Sequence, residues 1–482
     1  MDAGLIIDNE TLGASAGGTF DRKNPVTGKV ASTAAAARTA DVSRAVESAA
    51  RAFKTWSRTG PSERRSILNK AADLLAERTP DFIRVGISET GGTGMWHGFN
   101  CMFASKILRE AAAMTTQIKG EVIPSDRPGS LSMGYRQPVG VLVGMAPWNA
   151  AQILGVRAFA MPLACGNSVV FKASEKCPQT HKMLGDVMVD AGLPSGVLNV
   201  ITHSAADAPE VVNALIDHPL VKRINFTGSS RVGRMIAERA AKHLKPCLLE
   251  LGGKAPLVLL DDAHLDGAVN AANFGAFMNS GQICMSTERI IVDNKIADAF
   301  VEKLVVKAGS LVAGDPTGQV HLGSVVDHDS IQHIKALIDD ALSKGAQLKV
   351  GGAPSEGTIM PATVLDAVTP DMRIYYEESF GPILSVIRAS GDEALIAAAN
   401  DTDYGLSSAV FSQNIRRAMD VARQIEAGIC HINGPTVFDE AQMPFGGVKD
   451  SGYGRFGGSS GIAEFTEMRW ITLEDPAQPY PF

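Results

Sequence analysis

From Asp41 to Arg78 apolar residues recur every three to four positions. "DVSRAVESAARAFKTWS" and "SERRSILNKAADLLAERT" therefore predict two helices, with Asp41 and Ser62 as N-caps. "FNCMFASKILREAAAMTTQI" predicts another, with Cys101 packed inside it. The pattern then changes. "GEVIPSDRPGSLSMGYRQPVG" is rich in turn residues, and "SLSMGYRQ" partly alternates as an antiparallel strand does. This segment reads as an excursion from the main body.

Beyond it, apolar runs alternate with helical patterns. "VGVLVGMAP", "SVVFKAS", "VLNVIT" and "VKRINFTG" predict strands, each followed by a helix such as "AQILGVRAFAMPLACG" or "RVGRMIAERAAKHL". Near-continuous apolar strands in repeated βα units predict a parallel sheet covered on both faces. A second series follows Glu250. "APLVLLD", "RIIVD", "PATVLDAV", "PILSVIRA" and "SAVFS" predict strands separated by helices, hence a second α/β domain. "QMPFGGVKDSGYGRFGG" is loop-like, and the terminal "RWITLED" alternates as a strand. The fold class is α/β, with two parallel-sheet domains.

The 20 residues between Arg136 and Arg157 carry no charge and match a membrane span in length. Pro147, Asn149 and Gln152 interrupt them, so they read as strand, turn and helix. The chain has 482 residues, too many for one core. A net charge of −7 argues against nucleic-acid or polybasic membrane partners. Six dispersed cysteines with no CxxC pair read as reduced thiols of a cytoplasmic protein. No His/Cys cluster has metal spacing, so no metal is expected, and no secretory signal is visible.

Five stretches carry chemistry. In "INFTGSSRVGRMI" a strand ends at Phe226, and Gly228 and Gly233 frame a turn into a helix. Unpaired N–H groups there suit a phosphate, and a plain tight turn is the alternative. The literal GxGxxG at Gly452, Gly454 and Gly457 follows no apolar strand and reads as coincidence. In "FKASE", Lys172 and Glu175 leave the carboxyl end of a strand, where open α/β sheets bind ligands. A carboxylate there favours a free ribose 2′-hydroxyl over a 2′-phosphate. In "LLELGGKAP", Glu250 closes a strand, either as a general base or as a surface carboxylate. Gly252 and Gly253 suggest that something approaches the backbone.

In "MNSGQICMSTER", Cys284 lies in a connection among small and polar residues, as a delivered nucleophile would. Cys165 and Cys247 look like core, Cys177 superficial, and Cys430 beside His431 like packing on a strand. In "APWNA", Asn149 is either a hydrogen-bond donor to an oxyanion or a helix N-cap.

Together these motifs resemble the aldehyde dehydrogenase superfamily. "APWN", "FKASE", "FTGSSRVG", "LELGGK", "GQICMST", "EESFGP" and "PFGGVKDSGYGR" occur in the family's order along nearly the whole chain. The resemblance implies an NAD-binding domain (1–119 and 140–249), a catalytic domain (250–455) and an oligomerisation arm (120–139 and 456–482). It implies a homodimer or homotetramer. It makes Cys284 the nucleophile, Glu250 the base, and Asn149 with the Cys284 N–H the oxyanion hole. Lys172 and Glu175 match ribose contacts, Ser229 a pyrophosphate contact, and Glu378 and Phe380 residues at the nicotinamide end. Ala146, Pro147, Trp148, Ser174, Phe226, Gly228, Val232, Gly233, Leu251 and Gly252 complete the expected coenzyme surface. NAD is expected, with NADP less favoured on account of Glu175. The implied chemistry is thiohemiacetal, loss of hydride to the nicotinamide, then thioester hydrolysis. Glu250 favours hydrolysis over transfer to coenzyme A.

Within the superfamily the chain resembles bacterial aromatic-aldehyde dehydrogenases of the vanillin and salicylaldehyde type. The stretches that carry this are "FNCMFASKILREAAAMTTQIKGEVIPSD", "GQICMSTERIIVD", "HINGPTVFDEAQMPFGGVKDSGYGRFGG" and the ending "YPF". The implied pocket is Trp96, Ala150, Leu154, Arg157, Met278, Ile283, Met285 and Phe438, which would suit a flat ring. Arg157 either hydrogen-bonds ring substituents or pairs with an acidic neighbour. As a free cation it would instead suit a semialdehyde carboxylate. "ITHSAADAPE" departs from the family's glycine-rich turn and leaves the adenine contacts unassigned.

Overall fold

The computed structural model describes residues 2–482. The N-terminal helices span Thr39–Trp56, Pro61–Glu77, Thr79–Thr90 and Gly94–Met114. The first two start earlier than expected. Arg38 caps the first, and Asp41 lies inside it, its carboxylate accepting from the N–H groups of Arg38 (3.0 Å) and Ser15 (2.9 Å). Gly60 caps the second, and Pro61 rather than Ser62 opens it, where the missing proline N–H costs nothing.

An eight-stranded sheet forms the first core. Its parallel centre runs Cys247–Glu250, Val221–Thr227, Val141–Met145, Ser168–Lys172, Leu198–Ile201. Leu5–Ile7 and Glu10–Leu12 add antiparallel strands beyond Leu198–Ile201, and within the parallel part the chain starts in the middle, at Val141–Met145. It moves outward in one direction through Ser168–Lys172, then builds on the other side with Val221–Thr227. The strand order therefore reverses between Val141–Met145 and Val221–Thr227. Loops leaving the carboxyl ends of two such strands diverge and open a crevice.

A second sheet of seven strands runs Gln347–Val350, Thr363–Asp366, Ile383–Ala389, Thr287–Asp293, Ala255–Leu259, Ser407–Phe411, Ile429–Ile432. All its pairings are parallel except that of the first strand. Its central strands are buried throughout, including the polar side chains of Glu288 and Arg289, because helices cover both faces. A third, antiparallel sheet joins Glu121–Ile123 and Leu131–Pro138 to Thr466–Leu473. The predicted excursion and the terminal strand thus meet.

The loop-like segment near the C-terminus is not all loop. Gly452–Tyr453 adds an antiparallel edge to the first sheet, against Leu249 and Glu250. Gly452, Gly454 and Gly457 all have positive φ, and a Cβ on Gly452 would fall 2.0 Å from the Leu249 carbonyl oxygen. These glycines serve a backbone crossing and open no phosphate turn. The uncharged stretch folds as the strand Val141–Met145 and the helix Ala151–Ala164, both fully buried. No described helix is long and apolar enough to cross a membrane. Cys101 and Cys165 are core residues. Cys177 is fully buried rather than superficial, because it caps the inward-facing start of Pro178–Asp190. Cys247 is only partly buried, at the first position of its strand.

Candidate active site

Three segments meet at the reversal point. The first leaves Val141–Met145 and carries Asn149, which is 6% exposed. Asn149 is not the helix N-cap, since Ala150 takes that position without a side-chain bond. Its side-chain Nδ2 instead donates to the Gln282 carbonyl at 2.9 Å.

The second segment carries Cys284. The helix Leu265–Phe277 ends, and Asn279, Ser280 and Gly281 follow with φ of 50°, 55° and 72°. This left-handed passage turns the chain back so that Cys284 comes up partly exposed before the strand Thr287–Asp293. Asparagine and glycine are among the residues that tolerate such φ values best, and Ser280 is carried through between them. The Ser286 Oγ donates to the Gly281 carbonyl at 2.9 Å and closes the loop.

The third segment follows Cys247–Glu250. A Cβ on Gly253 would stand 2.1 Å from the Cys284 carbonyl oxygen, so glycine there lets the two loops cross. Glu250 is 3% exposed. Neither of its carboxylate oxygens has a hydrogen-bond partner. Burial pushes its pKa well above the usual carboxyl range, against the pull of Arg157 and Arg455 and with the help of Asp439 and Glu464. Burial, with Glu250 and Glu378 nearby, raises the Cys284 thiol to about 12 despite Arg157. The resting thiol is therefore neutral.

A cavity of about 230 Å³ opens between these segments. Asn149, Leu154 and Cys284 are among its lining residues. Pro147, Trp148, Thr227, Gly228, Ser229, Leu251, Gly252, Glu378 and Phe380 are the others. Phe380, itself at φ 46°, meets Trp148 edge to face at 5.8 Å. Glu288 fixes that loop by accepting the N–H groups of Ser379 (2.9 Å) and Phe380 (3.0 Å), while Lys254 neutralises it from full burial. Glu378 accepts the Gly253 N–H at 2.9 Å, and burial beside Glu288 raises it to about 8.

The same crevice suits a nicotinamide dinucleotide. Ser229 caps Ser230–Ala241, accepting the Val232 N–H at 3.4 Å, so this helix end faces the crevice. A Cβ on Gly252 would crowd Glu378 at 2.8 Å, and one on Gly233 would strike Leu251 at 2.5 Å. Ala146 directly follows Val141–Met145, and Phe226 is the penultimate residue of Val221–Thr227, the two strands that flank the reversal. Lys172, Ser174 and Glu175 leave the next strand. Burial opposes the Glu175 charge, but Lys172 and, more weakly, His203 and Lys176 outweigh it and leave its pKa lowered. Glu175 is thus a carboxylate beside a partly exposed lysine.

The expected substrate residues separate into groups. Trp96, Ala150, Leu154, Ile283 and Met285 belong to one apolar cluster, with Met278 and Cys284 packed against it. Phe438 is half exposed and stands edge-on to His431 at 5.4 Å. Arg157 takes the second of its two expected roles. It forms a buried ion pair with Asp439, and its guanidinium lies 4.4 Å from the Phe445 ring centre. Among the described residues, no group of three His, Cys, Asp or Glu side chains could hold a metal.

The model of the aldehyde dehydrogenase family matches residues 13–471. The chain belongs to this family. It is therefore an aldehyde-oxidising oxidoreductase of a class that uses NAD(P). It is 56% identical to a vanillin dehydrogenase of Pseudomonas fluorescens over all of both chains. It is 35% identical to a benzaldehyde dehydrogenase [NAD(+)] of Pseudomonas putida, across 97% of this chain and 95% of that one. A solved salicylaldehyde dehydrogenase of P. putida in complex with salicylaldehyde is 51% identical and superposes with a TM-score of 0.98 over the full length of both.

Aldehyde dehydrogenase motifs led to the residues that face the crevice, but not to those that hold them. Asn279, Gln282, Glu288, Lys254 and Asp439 went unread. Asn279 had one usable signal, an asparagine before a glycine just past a helix end, a common left-handed position. Apart from Asn279, three residues from Gln282, the partners of the others lie 34 to 282 residues away, beyond any local pattern.

Proposed function

We propose that this protein oxidises aromatic aldehydes to carboxylic acids, with Cys284 as nucleophile. One observation carries the assignment. A partly exposed cysteine shares a cavity with a fixed amide donor, beside a buried carboxylate without a partner, and an apolar cluster backs the thiol. The names of the vanillin, salicylaldehyde and benzaldehyde relatives support a ring-bearing substrate.

The Cys284 thiol passes its proton to solvent as sulfur attacks the aldehyde carbon. Oxygen becomes negative and takes a hydrogen bond from the Asn149 amide. Among the described residues the Cys284 N–H has no backbone acceptor, so it is available as a second donor. A bound nicotinamide dinucleotide supplies the hydride acceptor. Glu250 then takes a proton from water, which attacks the cysteine thioester and releases the acid. The apolar residues around the thiol exclude stray water and hold the ring.

NAD is the preferred coenzyme in this reading, because the Glu175 carboxylate repels a 2′-phosphate. We take residues 1–119 and 140–249 as the coenzyme domain and 250–455 as the catalytic domain. Residues 120–139 and 456–482 form an arm through which copies associate as dimers or tetramers in the cytoplasm. The alternative semialdehyde substrate needs a free cation, and Arg157 is engaged by Asp439.

Turnover of vanillin, salicylaldehyde, benzaldehyde and succinate semialdehyde with each coenzyme tests the reading. NADH formation with the three aromatic aldehydes should exceed that with the semialdehyde at least tenfold in kcat/KM. It should vanish in Cys284→Ala. A Cys284→Ala variant that still turns over, or a preference for the semialdehyde, refutes it.

A further inference from the structure

The main-chain carbonyl of Asn149 is unusually well held. It lies in the turn between a strand and a helix, where no ladder partner is available. Two buried side chains donate to it, the Trp96 indole Nε1 at 2.8 Å and the Asn279 Nδ2 at 3.0 Å. Trp96, Asn149 and Asn279 are 4%, 6% and 6% exposed. The same Asn279 nitrogen reaches the Gln282 carbonyl at 3.4 Å, which is the acceptor of the Asn149 side-chain amide. Asn149, Asn279 and Gln282 therefore close a ring of hydrogen bonds through the amide, and Trp96 holds the same carbonyl from outside the ring.

Gln282 anchors this ring to the second sheet's side of the crevice. Its Nε2 donates to the carbonyls of Asn279 (3.1 Å) and Ser324 (3.4 Å), and its Oε1 accepts the Val326 N–H at 2.9 Å. A side-chain amide has two N–H bonds. Gln282 takes one from Asn149. The bond fixes the amide plane and leaves the other hydrogen for the cavity that Asn149 and Cys284 share.

We propose that Asn279 and Trp96 are positioning residues that clamp the Asn149 carbonyl and so keep its amide aimed at the oxyanion formed on attack by Cys284. The inference rests on the assignment of Cys284 and Asn149 above. It changes the expected role of Trp96, whose polar edge is committed to Asn149. It also gives the left-handed passage at 279–281 a purpose. Asn279 must stand at φ 50° to bring its side chain back under the turn of another segment, 130 residues away in sequence.

The test separates aim from packing and from the reactivity of the thiol. Asn279→Asp keeps size and tolerance of positive φ but replaces the donor with an acceptor. Asn279→Gly keeps the backbone and removes the amide. Trp96→Phe removes the other donor. Each variant is assayed for aldehyde oxidation, for coenzyme-free hydrolysis of p-nitrophenyl acetate, and for alkylation of Cys284 by iodoacetamide. The ester transfers its acetyl group to sulfur through an oxyanion and releases p-nitrophenolate. Alkylation displaces iodide and forms no oxyanion.

Aldehyde kcat and ester hydrolysis should fall together by about 10- to 100-fold, with KM and alkylation changed less than about twofold. In an Asn149→Ala background the same substitutions should add less than about twofold, since no amide is left to aim. If Asn149→Ala leaves ester hydrolysis intact, the assigned role of Asn149 fails. If Asn149→Ala is impaired while the clamp variants retain wild-type kcat, or raise KM alone, the clamp fails. Alkylation that drops in parallel also overturns it, since the residues would then be holding the thiol. Should Asn279→Asp not fold, Trp96→Phe probes the same carbonyl from the other side.

Discussion

At the scale of single residues, the site is governed by what has been left unpaired. A carboxylate 3% exposed with two orphan oxygens is costly, and burial meets the cost by keeping it protonated. That gives Glu250 two measurable signatures. Its folded pKa is raised, so the folded state holds a proton that the unfolded chain has lost over the window above the usual carboxyl value. Stability from this group is therefore present at low pH and is lost as pH rises through that window. Glu250→Gln removes the loss. Its melting temperature should exceed that of the wild type by at least about 2 °C at pH 8, with a gap that shrinks towards pH 4. The same variant should release at most one NADH per site and accumulate thioester, while wild-type turnover rises with pH as Glu250 ionises. A gap independent of pH would show that Glu250 ionises normally. Cys284, Glu250 and Asn149 stood out in the sequence because each lies at a strand end or in a connection, where a packing residue gains little. The role of Arg157 did not, because its partner Asp439 lies 282 residues on, and nothing local distinguishes a paired guanidinium from a free one.

At the scale of elements, glycine decides how closely the loops approach. Gly253 has no positive φ to justify it, and its need is steric. The Cβ of Gly253→Ala would meet a backbone oxygen, the Cys284 carbonyl, which cannot rotate away. The nucleophile loop must shift. A displacement near 1 Å costs about 100-fold in rate, and the overpacking costs about 1–3 kcal/mol. Gly253→Ala should therefore lose kcat at least tenfold while unfolding at lower denaturant concentration, as stopped-flow and urea titration would read. Wild-type kcat would mean that the loops are free to separate. Periodicity located most helices and strands, because burial on one face imposes it. Helix starts were read less well. Asp41 and Ser62 have the chemistry of N-caps, yet the cap is whichever residue the chain brings to the open N–H groups, and Arg38 and Gly60 arrive first. Gly452–Tyr453 looked like loop because a two-residue edge strand has no periodicity to show.

At the scale of the whole molecule, the reversal of strand order in the first sheet places the crevice, and the arm remains to be accounted for. The order of apolar strands foretold two sheets, but not which strands would be neighbours, since adjacency depends on crossovers that local pattern does not encode. The three-stranded sheet formed by 121–123, 131–138 and 466–473 shares no strand with the two larger sheets. Thr466–Leu473 is an edge strand of eight residues, long for an unprotected edge. Val122 and Trp470 on this sheet are 74% and 76% exposed, with Tyr135 and Leu473 also above half. An isolated chain would leave both the edge and these side chains in water, the condition under which copies associate. Replacing them with charge should cost little in the monomer, because neither side chain is buried there. Val122→Glu combined with Trp470→Glu should lower the mass seen by light scattering to about 51 kDa, that of one chain at 50.8 kDa, with the circular dichroism of the wild type preserved. An assembly that keeps its mass would move the interface off the arm, and a substituted chain that aggregates would show that the edge strand itself, not these side chains, does the pairing.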